Sequence, residues 1–189
     1  MTADVAMRDK LLEEAYRIAD VEGLSALTVR RLARASHVSV GTVYNHFSSK
    51  DELTTAVIEL YFRRSIMDEF CRLDANRGFV DYCEDLYASL VVILDRFRSH
   101  WLKNYGALPI AEKVSARLRE RQILAHALRG LAEIYERDQD VRPSLPVECG
   151  AEPVSRFVLE NMVSALRSGE RSCPVLFGLL REALYRPGE

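Results

Sequence analysis

Residues 23–50, GLSALTVRRLARASHVSVGTVYNHFSSK, hold Arg30, Arg31, Arg34 and Lys50 and not a single Asp or Glu. The stretch carries +4 inside a chain whose formal net charge is -2, and acids close it on both sides: Asp20 and Glu22 before, Asp51 and Glu52 after. A positive island of this kind suits a polyanion; on charge alone, a solvated helix face with its acids elsewhere suits it equally well. Spacing separates the two. Val40, Val43 and Phe47 recur at i, i+3 and i+7 and face inward. That leaves Gly41, Thr42, Tyr44, Asn45 and His46 outside, mostly neutral donors and acceptors matched to base edges and phosphates.

The elements that must position these groups follow from local signals. Leu11, Leu12, Ala15, Ile18 and Ala19 form the apolar stripe of a first helix over about 7–22, stopped by Gly23. Thr28 caps a short helix through Ala35, and Ser39 caps the next, over 40–47. Ser36, His37 and Val38 join them, so the pair reads as a helix-turn-helix whose second helix enters the major groove. Ser49 with Glu52 is a capping box for a fourth helix that runs to about residue 72. After a break at 76–78, long helices are expected from Phe79 to Phe97 and over 110–137, with a kinked stretch through Trp101, Gly106 and Pro109 between them. Residues 138–153 hold three of the six prolines and read as a loop, followed by helices over 154–167 and 174–185. Period-2 alternation is not sustained anywhere, so the expectation is an all-α fold of about nine helices.

Other chemistries find little footing. The chain lacks G-x-S-x-G, G-x-G-x-x-G, a P-loop and H-E-x-x-H, and its histidines at 37, 46, 100 and 126 have no metal-ligand spacing. Cys83 beside His100 or His126 would make a nucleophile–base pair, but a cysteine on an apolar helix face is usually core. The four cysteines never form C-x-x-C, which suggests neither a disulfide framework nor a zinc site. No enzyme activity, cofactor or metal is expected. With 189 residues, 48% hydrophobic, the chain can bury a sizeable core. No apolar run approaches the roughly 18 residues of a membrane span, and the N-terminus lacks the apolar stretch of a secretory signal, so a cytoplasmic protein is expected.

TVRRLARASHVSVGTVYNHFSSKDEL, preceded by a helix ending at Gly23, resembles the N-terminal DNA-binding domain of the TetR (tetracycline-repressor-like) family of bacterial transcriptional regulators. Cap, turn, G-T-V-Y, aromatic, Ser-Lys and acidic-Leu elements recur in order over about 11–61. Over the rest of the chain the resemblance rests on length and helical content. It implies that Tyr44 and Lys50 contact phosphate. Ser39, Val40, Gly41, Thr42, Asn45 and His46 fall where the recognition helix meets phosphates and bases. Arg30 can reach a base edge, such as guanine O6 and N7 in bidentate fashion, and Thr28 is a cap that also touches phosphate. Two positions depart from the family pattern. His37 stands where glycine is usual, so the turn carries some strain. Val40 is apolar where many relatives are polar, which favours a thymine methyl or no base at all. His46 also fits a hydrogen bond within the turn to the fourth helix.

Residues 1–50 are thus expected to be the DNA-binding domain, with the helix at about 50–72 connecting it to an effector-binding and dimerisation domain over 51–189. The last two helices carry more apolar residues than one buried stripe needs. The resemblance implies that Phe157, Val158, Met162, Leu166, Leu176 and Leu180 pair with a second subunit, so that two recognition helices read a palindromic operator. It also implies a mostly apolar effector pocket among the middle helices, for which Cys83, Tyr87, Phe97, His100, Trp101, Tyr105 and His126 are the candidates. The expected function is a homodimeric regulator, a repressor released by a small effector. The rival is a DNA-bound organising or partner-inhibiting protein with no small-molecule effector.

Overall fold

The computed structural model describes residues 2–103, 121–143 and 145–185. These hold eight α-helices and no strand: α1 (Thr2–Glu22), α2 (Val29–Ala35), α3 (Val40–His46), α4 (Lys50–Arg72), α5 (Phe79–Arg96), α6 (Arg121–Arg137), α7 (Ala151–Ser168) and α8 (Pro174–Leu184). Short 3-10 turns occur at Leu24–Ala26 and Val147–Cys149, and a π-helical turn at Phe97–Trp101 extends α5. The 104–120 part of the expected kink and long helix, Tyr105 included, lies outside the described residues.

Two helices begin earlier than their sequence signals suggest. α1 starts at Thr2, five residues upstream of the expected start, because nothing in that stretch breaks a helix and Asp4 sits in the first turn, where the dipole favours an acid. α7 starts at Ala151 and takes in Pro153 as its third residue. The missing N–H there is one of the four that have no helical acceptor anyway, so a proline that reads as loop is tolerated inside the first turn.

Contacts divide the chain into two units, Met1–Ser65 with Ile93–Arg117, and Ile66–Val92 with Leu118–Glu189. The first half of α4 groups with the helix-turn-helix, and its Leu53, Val57, Ile58 and Tyr61 are buried. In this first unit Leu11, Ala15, Ile18 and Ala19 of α1 lie at i, i+4, i+7 and i+8, one face of a helix, and all are buried. Leu24, Leu27, Leu32, Val43 and Phe47 complete the core. Gly23 ends α1 at φ 84, a conformation that glycine adopts without strain.

The second unit has its own core of Phe79, Tyr82, Leu86, Leu131, Val158, Met162 and Phe177, with α6 lying along α7. Residues distant in sequence satisfy its helix ends. Asp138 Oδ2 accepts the Phe79 N–H at 2.6 Å and the Tyr185 hydroxyl at 2.8 Å, while the Val80 N–H donates to the Tyr185 oxygen at 3.0 Å. The Arg142 guanidinium donates to the Glu182 carbonyl at 3.1 Å and also bonds that of Ala183, closing the end of α8 where helix carbonyls lack partners. The Tyr87 hydroxyl donates to the Glu170 carbonyl at 2.8 Å and ties down the α7–α8 turn.

Candidate nucleic-acid interface

The helix-turn-helix is assembled by caps, each spanning three residues. Thr28 Oγ1 accepts the Arg31 N–H at 3.1 Å, and Ser39 Oγ accepts the Thr42 N–H at 3.0 Å. Each satisfies one of the amides left without a helical partner, a contribution of about 1 kcal/mol. Between the helices His37 takes φ 55, the one positive φ at a non-glycine residue among those described. The turn therefore keeps the glycine-type geometry with an L residue in it.

The capping box at α4 differs from its usual form. Ser49 Oγ accepts the Glu52 N–H at 3.0 Å as expected, but the Glu52 carboxylate reaches back to Ser48, accepting from its N–H at 2.8 Å and its hydroxyl at 2.7 Å. Two residues ahead of α4 are thus held, and Lys50 is presented at the helix N-terminus with its side chain exposed.

Val43 and Phe47 are buried, so the face of α3 left outward is Val40, Gly41, Tyr44 and Asn45, with Tyr44 49% exposed. Thr42 is partly withdrawn, its Oγ1 lying 2.8 Å from Ser39 Oγ. Ser39, Thr28, Arg30 and Arg34 are exposed. Arg31 forms an ion pair with Glu22, an acid just outside the acid-free stretch, so its charge is locally balanced. Among the described residues Arg30 and Arg34 make no ion pair. Arg34 belongs with the candidate contacts although only its charge marked it in the sequence. The resulting surface offers guanidinium groups on α2, a neutral donor and acceptor face with one tyrosine on α3, and an ammonium at the head of α4. That is the chemistry of a short helix reading base edges between flanking phosphate contacts.

His46 is less exposed than Tyr44 and Asn45 beside it. Its side chain is only 9% exposed and its Nδ1 lies 3.4 Å from Asp4 Oδ1. That carboxylate belongs to the first turn of α1. Arg8, one turn further along α1, stacks over the Phe47 ring at 4.8 Å and lies 4.0 Å from Glu52. The start of α1 therefore braces the end of the recognition helix, a role invisible in the sequence because the partners are some forty residues apart.

The residues read as pocket lining fall in different places. Cys83 and Tyr87 are buried in the core of the second unit. Burial pushes the Cys83 thiol well up, which is the opposite of what a nucleophile needs. His126 is exposed on α6. Phe97 and Trp101 are buried in the first unit beside Tyr61 and Phe62, and His100 is exposed there. Of the residues read as dimer interface, Val158, Met162 and Leu180 face the core of their own unit, and Leu166 and Leu176 are half-buried. Phe157 is exposed, as are Val175 and Leu179. Among the described residues of α7 and α8, the exposed large hydrophobic side chains are Phe157, Val175 and Leu179. Among the described residues no helix is long and apolar enough to cross a membrane, and no group of three His, Cys, Asp or Glu side chains could hold a metal ion.

Residues 11–57 match the tetR family of bacterial regulatory proteins. Over 100 residues the chain is 30% identical to an uncharacterized HTH-type transcriptional regulator in the dhlA 5′ region of Xanthobacter autotrophicus, a match covering 52% of this chain and 46% of that protein. The chain thus spans about half the length of this curated relative. Among solved structures, it is similar to the ketosteroid transcriptional regulator of Mycobacterium tuberculosis at 16% identity, covering 96% of each chain, with a TM-score of 0.42. A TetR-like transcriptional regulator from Rhodococcus sp. RHA1 is 16% identical, with 94% of this chain and 93% of that one covered and a TM-score of 0.44.

Proposed function

From a chain whose residues 11–57 match the tetR family of bacterial regulatory proteins, we propose a homodimeric, sequence-specific transcriptional regulator, a repressor released from a palindromic operator by a small, mostly apolar effector. The observation that carries this is the exposed face of α3, Val40, Gly41, Tyr44 and Asn45, flanked by Arg30, Arg34 and Lys50 with no acid in the same stretch. One helix this short reads few base pairs, so useful specificity calls for two copies. Phe157, Val175 and Leu179 support pairing through α7 and α8, because three large apolar side chains lie uncovered on consecutive helices. An effector site in the second unit draws support from Ser155, whose hydroxyl is buried without a hydrogen-bond partner.

DNA binding is tested by gel shift with the DNA upstream of the chain's own gene, titrated with salt. Binding should be sequence-selective and fall steeply as salt rises. Lys50→Ala should weaken all sites alike and lower the salt slope by about 0.9 for each phosphate no longer neutralised. Arg30→Ala should instead relax preference at one base of each half-site, at about 1 to 3 kcal/mol. Equal weakening at every base by both variants would remove Arg30 from the base-reading set. A second reading, a DNA-bound organising protein without an effector, draws support from Cys83 and Tyr87, which fill core. Many scattered binding sites and no ligand response would favour it.

A further inference from the structure

Trp101 is the single tryptophan of the chain and is fully buried, yet its indole N–H meets a carboxylate: it donates to Asp20 Oδ1 at 3.3 Å. The same oxygen accepts the Arg96 guanidinium at 3.1 Å, and His100 Nε2 donates to the Asp20 backbone carbonyl at 2.7 Å. Three side chains from one stretch, 96–101, converge on one residue in the last turn of α1. Carbonyls there lack helical partners and carry the negative end of the helix dipole, so cationic and N–H donors are favoured.

The backbone of that stretch is unusual in the same place. Phe97–Trp101 is wound as a π-turn, a geometry that often marks functional positions and that alters the angles between successive side chains. Gly23 closes the contact from the other side: a Cβ at this residue would sit 3.1 Å from the His100 carbonyl oxygen, and its φ of 84 excludes most L residues as well. Rings seal the joint, with Trp101 centred 5.2 Å from Tyr16 and 4.4 Å from Tyr61, whose hydroxyl donates to the Ile93 carbonyl at 3.0 Å. Only residues 23–28 separate this joint from α2.

We propose that Asp20 is a positioning residue for DNA recognition: together with Arg96, His100 and Trp101 it locks the exit of α1, and with it the aim of α2 and α3, to the segment that continues α5. Neither Asp20 nor its three partners lie on the recognition helix. Their effect passes through α1, and what they set is the direction in which an intact helix-turn-helix points. The proposal rests on the dimeric DNA-reading function above, since aim matters most where two half-sites must be met at once.

Binding sites selected from a random duplex library by the full-length protein test it. Wild type should return paired half-sites at one spacing. Asp20→Ala should return the same half-site with spacings spread over neighbouring base pairs, and should bind the wild-type site about tenfold more weakly, equivalent to one charge-assisted hydrogen bond. Asp20→Asn keeps an acceptor for the indole and should restore the single spacing. A merely structural role would lower affinity at every spacing alike, and that result overturns the proposal. Arg96→Ala, at an exposed position, serves as the second variant if Asp20→Ala does not fold. In the DNA-free protein, amide exchange over 20–28 should speed up in both alanine variants while exchange in α7 stays unchanged; unaltered exchange at 20–28 would also overturn it. If wild type selects no paired sites, the dimeric-regulator reading fails, and the exchange measurement still decides the Asp20 joint.

Discussion

Replacing Leu179 with glutamate separates pairing from folding. Leu179 is 66% exposed, Val175 four residues earlier is 73% exposed, and Phe157 on α7 is 54% exposed. Gly178, beside Leu179, would have open space around a Cβ, so a second helix can approach closely. Fully burying such a side chain is worth about 1.5 to 3 kcal/mol, so covering the exposed two-thirds of Leu179 contributes about 1 to 2 kcal/mol. A two-fold interface contains each change twice, which makes the loss about 2 to 4 kcal/mol before any cost of burying the introduced carboxylate. The dimer dissociation constant should therefore rise by at least about thirtyfold. Sedimentation velocity over a range of concentrations measures it, with helix content followed by circular dichroism. Because Leu179 leaves most of its surface outside its own unit, helix content should be unchanged. Met162→Ala is the counterpart: Met162 is fully buried, and the cavity left behind should cost about 2 to 5 kcal/mol of folding stability. A Leu179→Glu protein that dimerises like wild type would refute the assignment of this face, as would one that loses its helices on dissociating.

Two further outcomes follow from strain and from burial. His37→Gly should relieve about 1 kcal/mol of left-handed strain, partly offset by the backbone entropy of glycine, so the urea midpoint should rise slightly; a clear fall would mean that the imidazole makes a stabilising contact. Burial pushes the Tyr82 hydroxyl up to about 12 and also raises Tyr61, Tyr135 and Tyr185. In the unfolded chain these phenols ionise near 10, so above that pH the folded state binds more protons than the unfolded one. Their contribution to stability is complete below about pH 10 and is lost as pH rises toward 12. Tyrosinate absorbance from these residues should appear together with the loss of helix signal; ionisation with the helices intact would contradict their burial.

What could be read from the sequence alone was decided within a few residues of each position. Thr28 and Ser39 cap their helices through amides three residues on, Gly23 stops α1 through its own φ, and the acid-free stretch with its four cations is a property of composition. The all-α fold, the helix-turn-helix and most of its outward face were therefore legible, since each depends on local hydrogen bonding and a 3.6-residue period. Longer-range facts were not. His46 turned to Asp4, and Phe97 and Trp101 joined the first unit near Asp20 where the sequence suggested a pocket with Cys83 and Tyr87. α7 and α8 show the reason most plainly. Both are apolar on more than one side, so periodicity alone cannot tell Val158, Met162 and Leu180, which fill the core, from Phe157, Val175 and Leu179, which are left uncovered. Which of two competing apolar faces turns inward depends on the shape of the neighbouring helices, and only packing in three dimensions supplies that.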